Sequence, residues 1–597
     1  MISYRIDCAG TRTHLFEIEL TVPEPAAGQR LSLPVWIPGS YLVREFARHL
    51  SSATAEQAGR PVPLRQLDKA SWQASCQGAA SLVVRYRIYA FDTSVRAAFL
   101  GAARGFFNGT GLCLRVEGRE HEPHALVLAG LPPGWEVATA LEPRALGGKH
   151  ELLAPDYDAL VDTPVELGTF WRGRFDVAGV PHEFVVAGAL PDFDGEQLLA
   201  DTRRVCETEI AFWHGPQGQP PFPRYVFMLT ALDDGHGGLE HAASTALLAA
   251  RRDLPRRAVG PVTSSAATAA PNRATQATPD RSDGYIGVLG LISHEYFHAW
   301  NVKRLRPRDF AAIDYTRENY TELLWFFEGF TSYYDDLFIA RSGIVDGPRY
   351  LKLLAKTVNA VQAAPGRHLQ SLAETSFDAW VKFYRVDENT PNATISYYAK
   401  GALAALAFDL TLRSEGRGSL DDVMRRLWQA SNGGPIDESD IAVALEVVGG
   451  RSFAPELSAW VHGTDELPLE SLLARFGVAI DRQAATLAQR LGVRVSEGAL
   501  TGVKVSHVLR GGSGEQLGLE AGDELIAAGG WRLRRLDDAL RCIGDAGATT
   551  LLVSRDQRVL SLELDPATLG GEGSLQLRMS DTASAAERAL CEAWLAG

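Results

Sequence analysis

The sequence lacks the cysteine patterns of disulfide-rich and zinc-knuckle proteins. Its six cysteines are scattered through 597 residues and no two form a Cys-x-x-Cys pair. In a chain of this length, isolated cysteines are typical of reduced thiols in hydrophobic cores. We therefore expect free cysteines and no disulfide framework.

Long apolar runs and an excess of positive charge are also missing. No stretch reaches the length of about 18 apolar residues that a membrane-spanning helix needs. The first residues, 1–8, do not form the apolar segment of a signal peptide. The net charge of −14 disfavours binding to nucleic acid or to anionic membranes. These features predict a cytoplasmic protein with neither nucleic acid nor membrane as a partner.

The chain length predicts several domains in a multidomain α+β protein. Residues 1–180 alternate apolar and polar positions between Pro- and Gly-rich turns, which is typical of a β-sandwich. Residues 181–480 show mostly helical periodicity. Residues 481–575 are β-like and glycine-rich again, and residues 576–597 are predicted to form a C-terminal tail or a helix.

Within the helical region, some segments have a specific prediction. Residues 257–282 are rich in Ala, Thr, Ser and Pro, which predicts a mobile loop. The apolar periodicity predicts helices over the following ranges: 195–214, 319–341, 348–361 and 400–413.

The chemistry of the chain is organised around His294–His298, which reads His-Glu-Tyr-Phe-His. On a helix, histidines at positions i and i+4 project from one face and can bind one cation. Neutral imidazole nitrogens suit Zn²⁺, and Glu295 can then act as the general base on a water molecule. Two core histidines on an apolar helix would be the alternative, but a chance match to the whole motif is rare.

A catalytic zinc usually has three protein ligands, so a third ligand is needed. Three glutamates downstream of the motif are candidates. The spacing used by thermolysin-type enzymes favours Glu318. Glu322 is the second candidate, four residues further along the chain. Burial favours Glu328, which lies inside the apolar run 323–330, where a lone carboxylate needs a cation or hydrogen-bond donors.

Four segments resemble known zinc peptidases. Residues 324–334, Leu-Trp-Phe-Phe-Glu-Gly-Phe-Thr-Ser-Tyr-Tyr, resemble the second zinc segment of the gluzincin aminopeptidases. Residues 294–307 and the N-terminal segments 34–41 and 104–110 resemble more narrowly the glycyl aminopeptidase family, which carries a PDZ domain. The resemblance implies that Glu328 is the third ligand, with one Zn²⁺ per chain bound by His294, His298 and Glu328.

The same resemblance implies two further sites. Gly237-Gly238-Leu-Glu240 matches the segment whose glutamate binds the free α-amino group of the substrate, although His241 replaces the family's asparagine. Tyr398 matches the tyrosine that donates a hydrogen bond to the oxyanion. The adjacent Tyr397 is easily mistaken for it, and either tyrosine could instead be only a packing residue.

The resemblance further implies a thermolysin-like, mostly α-helical catalytic domain. It implies the removal of an N-terminal glycine or alanine from peptides that have a free N-terminus. Residues 501–531 resemble bacterial protease PDZ domains, which add a peptide as a β-strand and hold its C-terminal carboxylate on main-chain N–H groups. Thr501, Gly502 and Val503 are the predicted carboxylate loop of this C-terminal PDZ-like β domain.

Two other functions remain open at this point. An endopeptidase would have the same zinc site, with Glu240 outside the cleft. A catalytically silent scaffold would use the PDZ-like domain to recruit partners, but such a protein would not need Glu295.

Overall fold

The computed structural model describes residues 1–144, 148, 150–257, 281–498, 500–543 and 547–597. Nearly all of the predicted mobile loop at 257–282 lies outside these described residues. The chain divides into two compact units. Unit 1 contains residues 1–319 and 428–436, and unit 2 contains residues 320–427 and 437–597. Each unit is described by itself.

The first half of unit 1 is rich in β-strands, as the alternating sequence predicts. Its strands and short helices are β1 (Ile2–Gly10), β2 (Leu15–Val22), β3 (Gly28–Ser32), β4 (Leu50–Gln57), β5 (Arg60–Pro61), β6 (Leu64–Gln66), β7 (Ser71–Ser75), β8 (Leu82–Tyr89), β9 (Ala98–Leu100), β10 (Arg104–Phe107), α1 (Gly109–Leu112), β11 (Arg115–Val116), β12 (His124–Ala129), β13 (Glu136–Thr139), β14 (Glu142–Pro143), β15 (Glu151–Ala154), α2 (Tyr157–Val161) and β16 (Val165–Gly168).

These strands form three sheets around one hydrophobic core. The largest has the order β14-β15-β12-β1-β2-β8-β4-β5, and the smaller ones have the orders β13-β16-β10-β9 and β11-β3-β7-β6. Alternate residues of β1 and β2 are buried, because successive side chains of a strand point to opposite faces. Ile18 of the large sheet shares its core with Leu31 and Phe106 of the smaller ones.

The second half of unit 1 holds the motif helix on another sheet. Its elements are β17 (Trp171–Val177), β18 (Val180–Ala187), α3 (Gly195–His214), β19 (Tyr225–Leu232), β20 (His236–Glu240), β21 (Ser244–Ala250) and α4 (Asp283–Phe297). The strand order is β17-β18-β19-β21-β20, with β20 at the edge. The predicted boundary at residue 180 therefore falls inside the β17–β18 hairpin. Strands on both sides of the boundary have the same alternating pattern, so the sequence does not mark the change of sheet.

Unit 2 begins with helices that lie within the predicted helical region. They are α5 (Leu324–Phe327), α6 (Gly329–Arg341), α7 (Gly347–Gln362), α8 (Leu372–Phe377), α9 (Thr390–Ala393), α10 (Tyr397–Ser414), α11 (Leu420–Ser431, of which residues 428–431 belong to unit 1), α12 (Glu438–Gly449), α13 (Ala454–Glu456) and α14 (Leu469–Arg475).

The helix predicted over 319–341 starts later and is interrupted. Asn319 lies in a turn in unit 1, where its side-chain amide donates to the main-chain oxygens of Asp314 and Arg317. Asparagine commonly makes such local bonds instead of entering a helix. Regular helix begins at Leu324, and α5 and α6 meet at Glu328.

The C-terminal part of unit 2 is a small β module followed by a returning segment. Its elements are β22 (Val478–Arg482), α15 (Leu487–Leu491), β23 (Val493–Gly498), β24 (Gly502–Val508), α16 (Ser513–Leu517), β25 (Glu524–Ala528), β26 (Trp531–Arg532), α17 (Asp538–Ile543), β27 (Thr549–Arg555), β28 (Arg558–Leu564), β29 (Leu575–Met579) and α18 (Ala585–Ala596). Strand β29 pairs with β22, and the Trp594 indole of α18 donates to the Tyr333 hydroxyl of α6 at 2.9 Å. The last residues are thus an integral part of unit 2.

Two expectations about the whole chain can be compared with the structure. All six cysteines are free thiols, and five of them are buried. Among the described residues, no helix has the length and apolar character needed to cross a membrane.

Candidate active site

The motif helix α4 presents two histidines side by side. Ser282 caps the helix by accepting a hydrogen bond from the Tyr285 N–H, and the helix ends at the second histidine of the motif. The Nε2 atoms of His294 and His298 are 3.1 Å apart. This is the one-face geometry that the i, i+4 spacing predicts.

The surroundings of His298 orient its ring. The side chain is 1% exposed, and its Nδ1 lies 2.7 Å from the main-chain oxygen of Asn301. Because a carbonyl can only accept, the proton of the neutral ring is on Nδ1. The lone pair is then on Nε2, which faces His294. Such an outer hydrogen bond is usual for histidines that bind metals.

The general-base candidate, Glu295, is fixed by a glycine. Glu295 is 5% exposed, and its carboxylate lies against the main chain of Gly238 on β20. A Cβ at position 238 would overlap that carboxylate. Gly238, predicted as a substrate-binding residue, therefore also makes room for the base. The neighbouring Gly237 has φ of +153°, which side-chain-bearing residues rarely adopt.

Glu240 ends the same edge strand and is 4% exposed. Its carboxylate lies against Gly39 of the predicted loop 34–41, where a Cβ would overlap both carboxylate oxygens. Gly39 also has φ of +89°, so the loop needs glycine there for two reasons. The loop at 34–41 thus borders the site. Gly39 leaves space for the Glu240 carboxylate, as Gly238 does for that of Glu295.

The structure brings three of the predicted residues together in unit 1. Ligand atoms of Glu240, Glu295 and His298 all lie within 4.8 Å of one another. The endopeptidase alternative requires Glu240 to lie outside the cleft, and this geometry disfavours it. A carboxylate at this place can bind a cationic group beside Glu295.

A charged cluster supports the end of the edge strand. The Asp162 carboxylate accepts hydrogen bonds from the Ala242 N–H at 3.0 Å and the His241 ring at 3.3 Å, and it pairs with the Lys303 ammonium at 2.5 Å. Burial by itself would raise the pKa of Asp162, but Lys303 and His241 hold that pKa well below its usual range. Val302, just before Lys303, has φ of +133°, a strained value for a β-branched residue. His241, the departure from the family pattern, therefore anchors the strand.

A cavity of about 360 Å³ opens beside Glu240. Its walls include Trp36, Tyr41, Lys303 and Tyr315. The cavity gives space for a side chain next to a group that binds Glu240. Its volume does not restrict that side chain to glycine or alanine, so a preference for these residues rests on the family resemblance alone.

The sequence did not single out His182, a residue of β18 that contacts α4. His182 is 1% exposed, and its Nε2 lies 2.8 Å from the hydroxyl of Tyr296, inside the motif. Its Nδ1 donates to the main-chain oxygen of Val180 at 2.9 Å. Burial lowers the pKa of His182 from 6.5 to about 4. Its position in an alternating strand gave no signal, because the contact is long-range.

The candidates for the third ligand differ in burial. Glu328 is 2% exposed, whereas Glu322 is exposed and Glu318 is partly exposed. Glu318 lies in unit 1, and the other two lie in unit 2. The burial that the sequence predicts for Glu328 is therefore present.

In unit 2, a tight helix crossing places Tyr398 near Glu328. A Cβ on Gly329 of α6 would lie 2.5 Å from the Cα of Gly401 on α10. Helix α10 starts at Tyr397 rather than at residue 400, because Ser396 caps it, so Tyr398 lies in its first turn. The Tyr398 hydroxyl is 3.4 Å from that of Tyr384. Burial, together with the negative charge of Glu328, raises the pKa of Tyr398 well above its usual range, so the phenol is protonated and can donate.

Of the predicted carboxylate loop, only Thr501 lies outside the strands, just before β24. Gly502 and Val503 already belong to β24, which pairs with β23 on one side and with β25 at Val503 on the other. Among the described strands of the module, β23 forms the outer edge of the sheet. Because the strand at 502–503 has partners on both sides, a peptide has no free edge there. This pairing disfavours Thr501, Gly502 and Val503 as a cradle.

Models of protein families match two parts of the chain. Residues 287–404 match the M61 glycyl aminopeptidase, and residues 3–169 match the M61 N-terminal domain. The first range contains the motif helix and also Glu328 and Tyr398. No curated protein matches the sequence.

Solved structures extend the similarity to the whole chain. An aminopeptidase N family protein from Idiomarina loihiensis has 34% sequence identity and a TM-score of 0.90, with full coverage of both chains. An M1 zinc metallopeptidase from Deinococcus radiodurans is 16% identical, with a TM-score of 0.46 over 78% of this chain and 94% of that one. Legionella pneumophila aminopeptidase A is 13% identical, with a TM-score of 0.45 over 99% of this chain and 60% of that one. On the family models and the first structure, the chain belongs to the M61 glycyl aminopeptidase family of zinc metallopeptidases.

Proposed function

We propose that this metallo-aminopeptidase uses zinc to remove small N-terminal residues from peptides with a free N-terminus. The convergence of Glu240, Glu295 and His298 within 4.8 Å is the observation that carries the proposal. In this proposal, Glu240 binds the substrate ammonium, Glu295 is the general base and His298 is a metal ligand, and their proximity supports these roles.

The donor set of unit 1 suits zinc. The two facing Nε2 atoms are 3.1 Å apart, which fits two ligands at about 2.1 Å from one ion. The hydrogen bond from His298 to the Asn301 carbonyl supplies the correct tautomer. By family resemblance, Glu328 completes the set of His294, His298 and Glu328, and its burial supports this assignment.

In this mechanism the chain's own residues bind the substrate and move the proton. A bound zinc would polarise the scissile carbonyl and lower the pKa of a water molecule. Glu240 holds the substrate ammonium, which selects the first peptide bond. Glu295 accepts a proton from the attacking water and passes it to the leaving amine.

Tyr398 stabilises the charge that develops on the carbonyl oxygen. Its raised pKa keeps the phenolic proton on the side chain at neutral pH. A donor aimed at a developing oxyanion typically contributes about 10²–10³-fold to the rate. Tyr397, which is fully buried, is a packing residue in this scheme.

Several finer assignments are also proposals. They are the β-sandwich over 1–180, the thermolysin-like catalytic domain over 181–480, the PDZ-like domain over 481–575 and the cytoplasmic location. The hairpin at Trp171–Ala187 favours a start of the catalytic domain near residue 171.

The first experiment measures hydrolysis of glycyl-, alanyl- and leucyl-p-nitroanilide by the zinc-loaded protein and by Glu295→Gln. We expect the glycyl and alanyl substrates to be cleaved faster than the leucyl one, and Glu295→Gln to lose about 10²-fold or more in kcat. Equal zinc content in both proteins is the control. Cleavage of an N-acetylated peptide by the wild type would favour an endopeptidase, and no cleavage with zinc bound would contradict the proposal.

A second experiment tests the third ligand with three matched variants. We expect Glu328→Gln to weaken zinc binding about tenfold or more, measured by competition with a chelator, because a charged ligand is lost. Glu318→Gln and Glu322→Gln should bind zinc like the wild type. The opposite pattern would assign the ligand to the residue that spacing favours.

A further inference from the structure

Lys400 of the Tyr-Tyr-Ala-Lys-Gly segment has no role in the proposed reaction. It lies in the first turns of α10, two positions after Tyr398. Residues at i and i+2 of a helix do not face each other, so Lys400 and Tyr398 point to different sides. The Lys400 side chain therefore faces a different part of unit 2 from Tyr398.

The environment of Lys400 is unusual for a cation. The residue is 3% exposed, and its ammonium makes one long hydrogen bond, of 3.4 Å, to the Arg367 main-chain oxygen. Among the described residues it has no ion pair. An ammonium carries three donors, so its hydrogen-bonding capacity is largely unused. Burying such a group costs free energy unless acceptors are supplied.

Lys400 lines a cavity of about 650 Å³ within unit 2. The size lies in the range of cavities that hold small ligands. Apolar side chains form much of the wall, including Val358, Leu403, Leu473 and Leu577. The 570–573 segment, three of whose residues are glycines, also brings main chain to the wall. An apolar cavity with a buried cation suits an apolar molecule that has one anionic group.

Four of the eight other charged residues in the cavity wall form ion pairs with one another. Glu466 pairs with Arg367 at 2.9 Å, and Glu572 pairs with Arg482 at 2.6 Å. Both carboxylates are exposed. Neither lies within ion-pair distance of the Lys400 ammonium. Burial lowers the pKa of Lys400, and the negative charge of Glu466 offsets only part of this effect.

We propose that this cavity binds the C-terminal carboxylate of a peptide with an apolar last residue, and that Lys400 is the anchor of the carboxylate. The aliphatic wall receives the terminal side chain. None of the residues that line this cavity takes part in the proposed reaction. The inference does not rest on the proposed function, because binding can be measured without turnover.

The test uses a peptide that lacks a free amine. N-acetyl-Leu-Leu has the free carboxylate, and N-acetyl-Leu-Leu-amide has the same apolar groups without the charge. Isothermal titration of the zinc-loaded protein should show that the acid binds. The amide should bind at least about tenfold more weakly than the acid, because charge-assisted hydrogen bonds are lost. Equal affinities, or no binding of the acid at millimolar concentration, would overturn the proposal.

Variants then assign the preference to Lys400. Lys400→Met should bind acid and amide equally weakly, whereas Lys400→Arg should keep part of the preference for the acid. Lys356→Met, at an exposed position of α7, is the matched control and should behave like the wild type. An acid preference that survives in Lys400→Met would place the carboxylate elsewhere, for example at the metal, and would overturn the proposal. Thermal unfolding of each variant shows that it is folded.

Discussion

The two units position their reactive groups in different ways. In unit 1 the carboxylates of Glu240 and Glu295 lie at a strand edge, where Gly39 and Gly238 leave the space that a side chain would fill. In unit 2 Glu328 and Tyr398 lie on helices that cross at Gly329 and Gly401. An added methyl group should therefore disturb chemistry in unit 1 and folding in unit 2.

Among the variants that compare the two units, Tyr398→Phe should have the largest effect on catalysis. Removal of one oxyanion donor typically lowers kcat by about 10²–10³-fold. Tyr397→Phe, at the adjacent buried position, should change kcat little. Steady-state kinetics with alanyl-p-nitroanilide measures both. If Tyr397→Phe has the larger effect, the assignment of the donor is wrong.

Gly238→Ala should affect activity more than stability. Its Cβ would overlap the Glu295 carboxylate, so the base must move, and we expect kcat/KM to fall about 10²-fold. Gly287→Ala is the control, because this exposed glycine of α4 has open space around its Cβ position. A Gly238→Ala enzyme with normal kcat/KM would show that the contact does not position the base.

Gly329→Ala, in contrast, should affect stability more than activity. The new Cβ would lie 2.5 Å from the Gly401 Cα, and the clash involves main chain that cannot rotate away. Overpacking of this kind costs about 3 kcal/mol in the free energy of unfolding. Urea unfolding measures the change, again with Gly287→Ala as the control. A loss below about 0.5 kcal/mol would mean that the helices separate easily.

The smallest effect concerns His182, which supports the motif helix of unit 1. Its pKa is about 4 in the folded protein and 6.5 for an unperturbed histidine, so the unfolded chain binds the proton first as pH falls. The stabilisation by neutral His182 is thus complete above pH 6.5 and declines down to about pH 4. Between about pH 7 and pH 5 we expect a loss of about 1–2 kcal/mol.

The matched variants isolate this contribution. His182→Gln should be less sensitive to pH over that interval, although less stable overall, because it lacks the titrating ring. His121→Gln, at an exposed histidine, should keep the wild-type dependence. Urea unfolding at the two ends of the interval measures each slope. The same slope in His182→Gln and wild type would contradict the pKa shift.

The sequence predicted local geometry well where chemistry restricts the residue types. The spacing of His294 and His298 and the apolar flanks of Glu328 give signals over a few residues, and the structure has the facing imidazoles and the buried carboxylate. Long-range pairing gives no such signal. The pairing of β29 with β22 and the docking of Trp594 on α6 depend on residues distant in sequence.

Local patterns also misplaced some boundaries. Apolar periodicity after Asn319 predicts a helix that starts there, but the Asn319 amide forms a turn with Asp314. The prediction of a carboxylate loop at 501–503 was based on a glycine-rich segment. Only the strand pairing shows that both edges of β24 are occupied there. Propensity and periodicity do not contain this information.

The most direct test of the central claim, that Glu240 selects a free N-terminus, compares two substrates that differ only in the amine. Alanyl-p-nitroanilide has the ammonium, and propionyl-p-nitroanilide lacks it. We predict that the wild type prefers the alanyl substrate about a thousandfold or more in kcat/KM. Glu240→Gln should lose most of this preference, while Glu196→Gln, at an exposed position of α3, should keep it. An unchanged preference in Glu240→Gln would contradict the account.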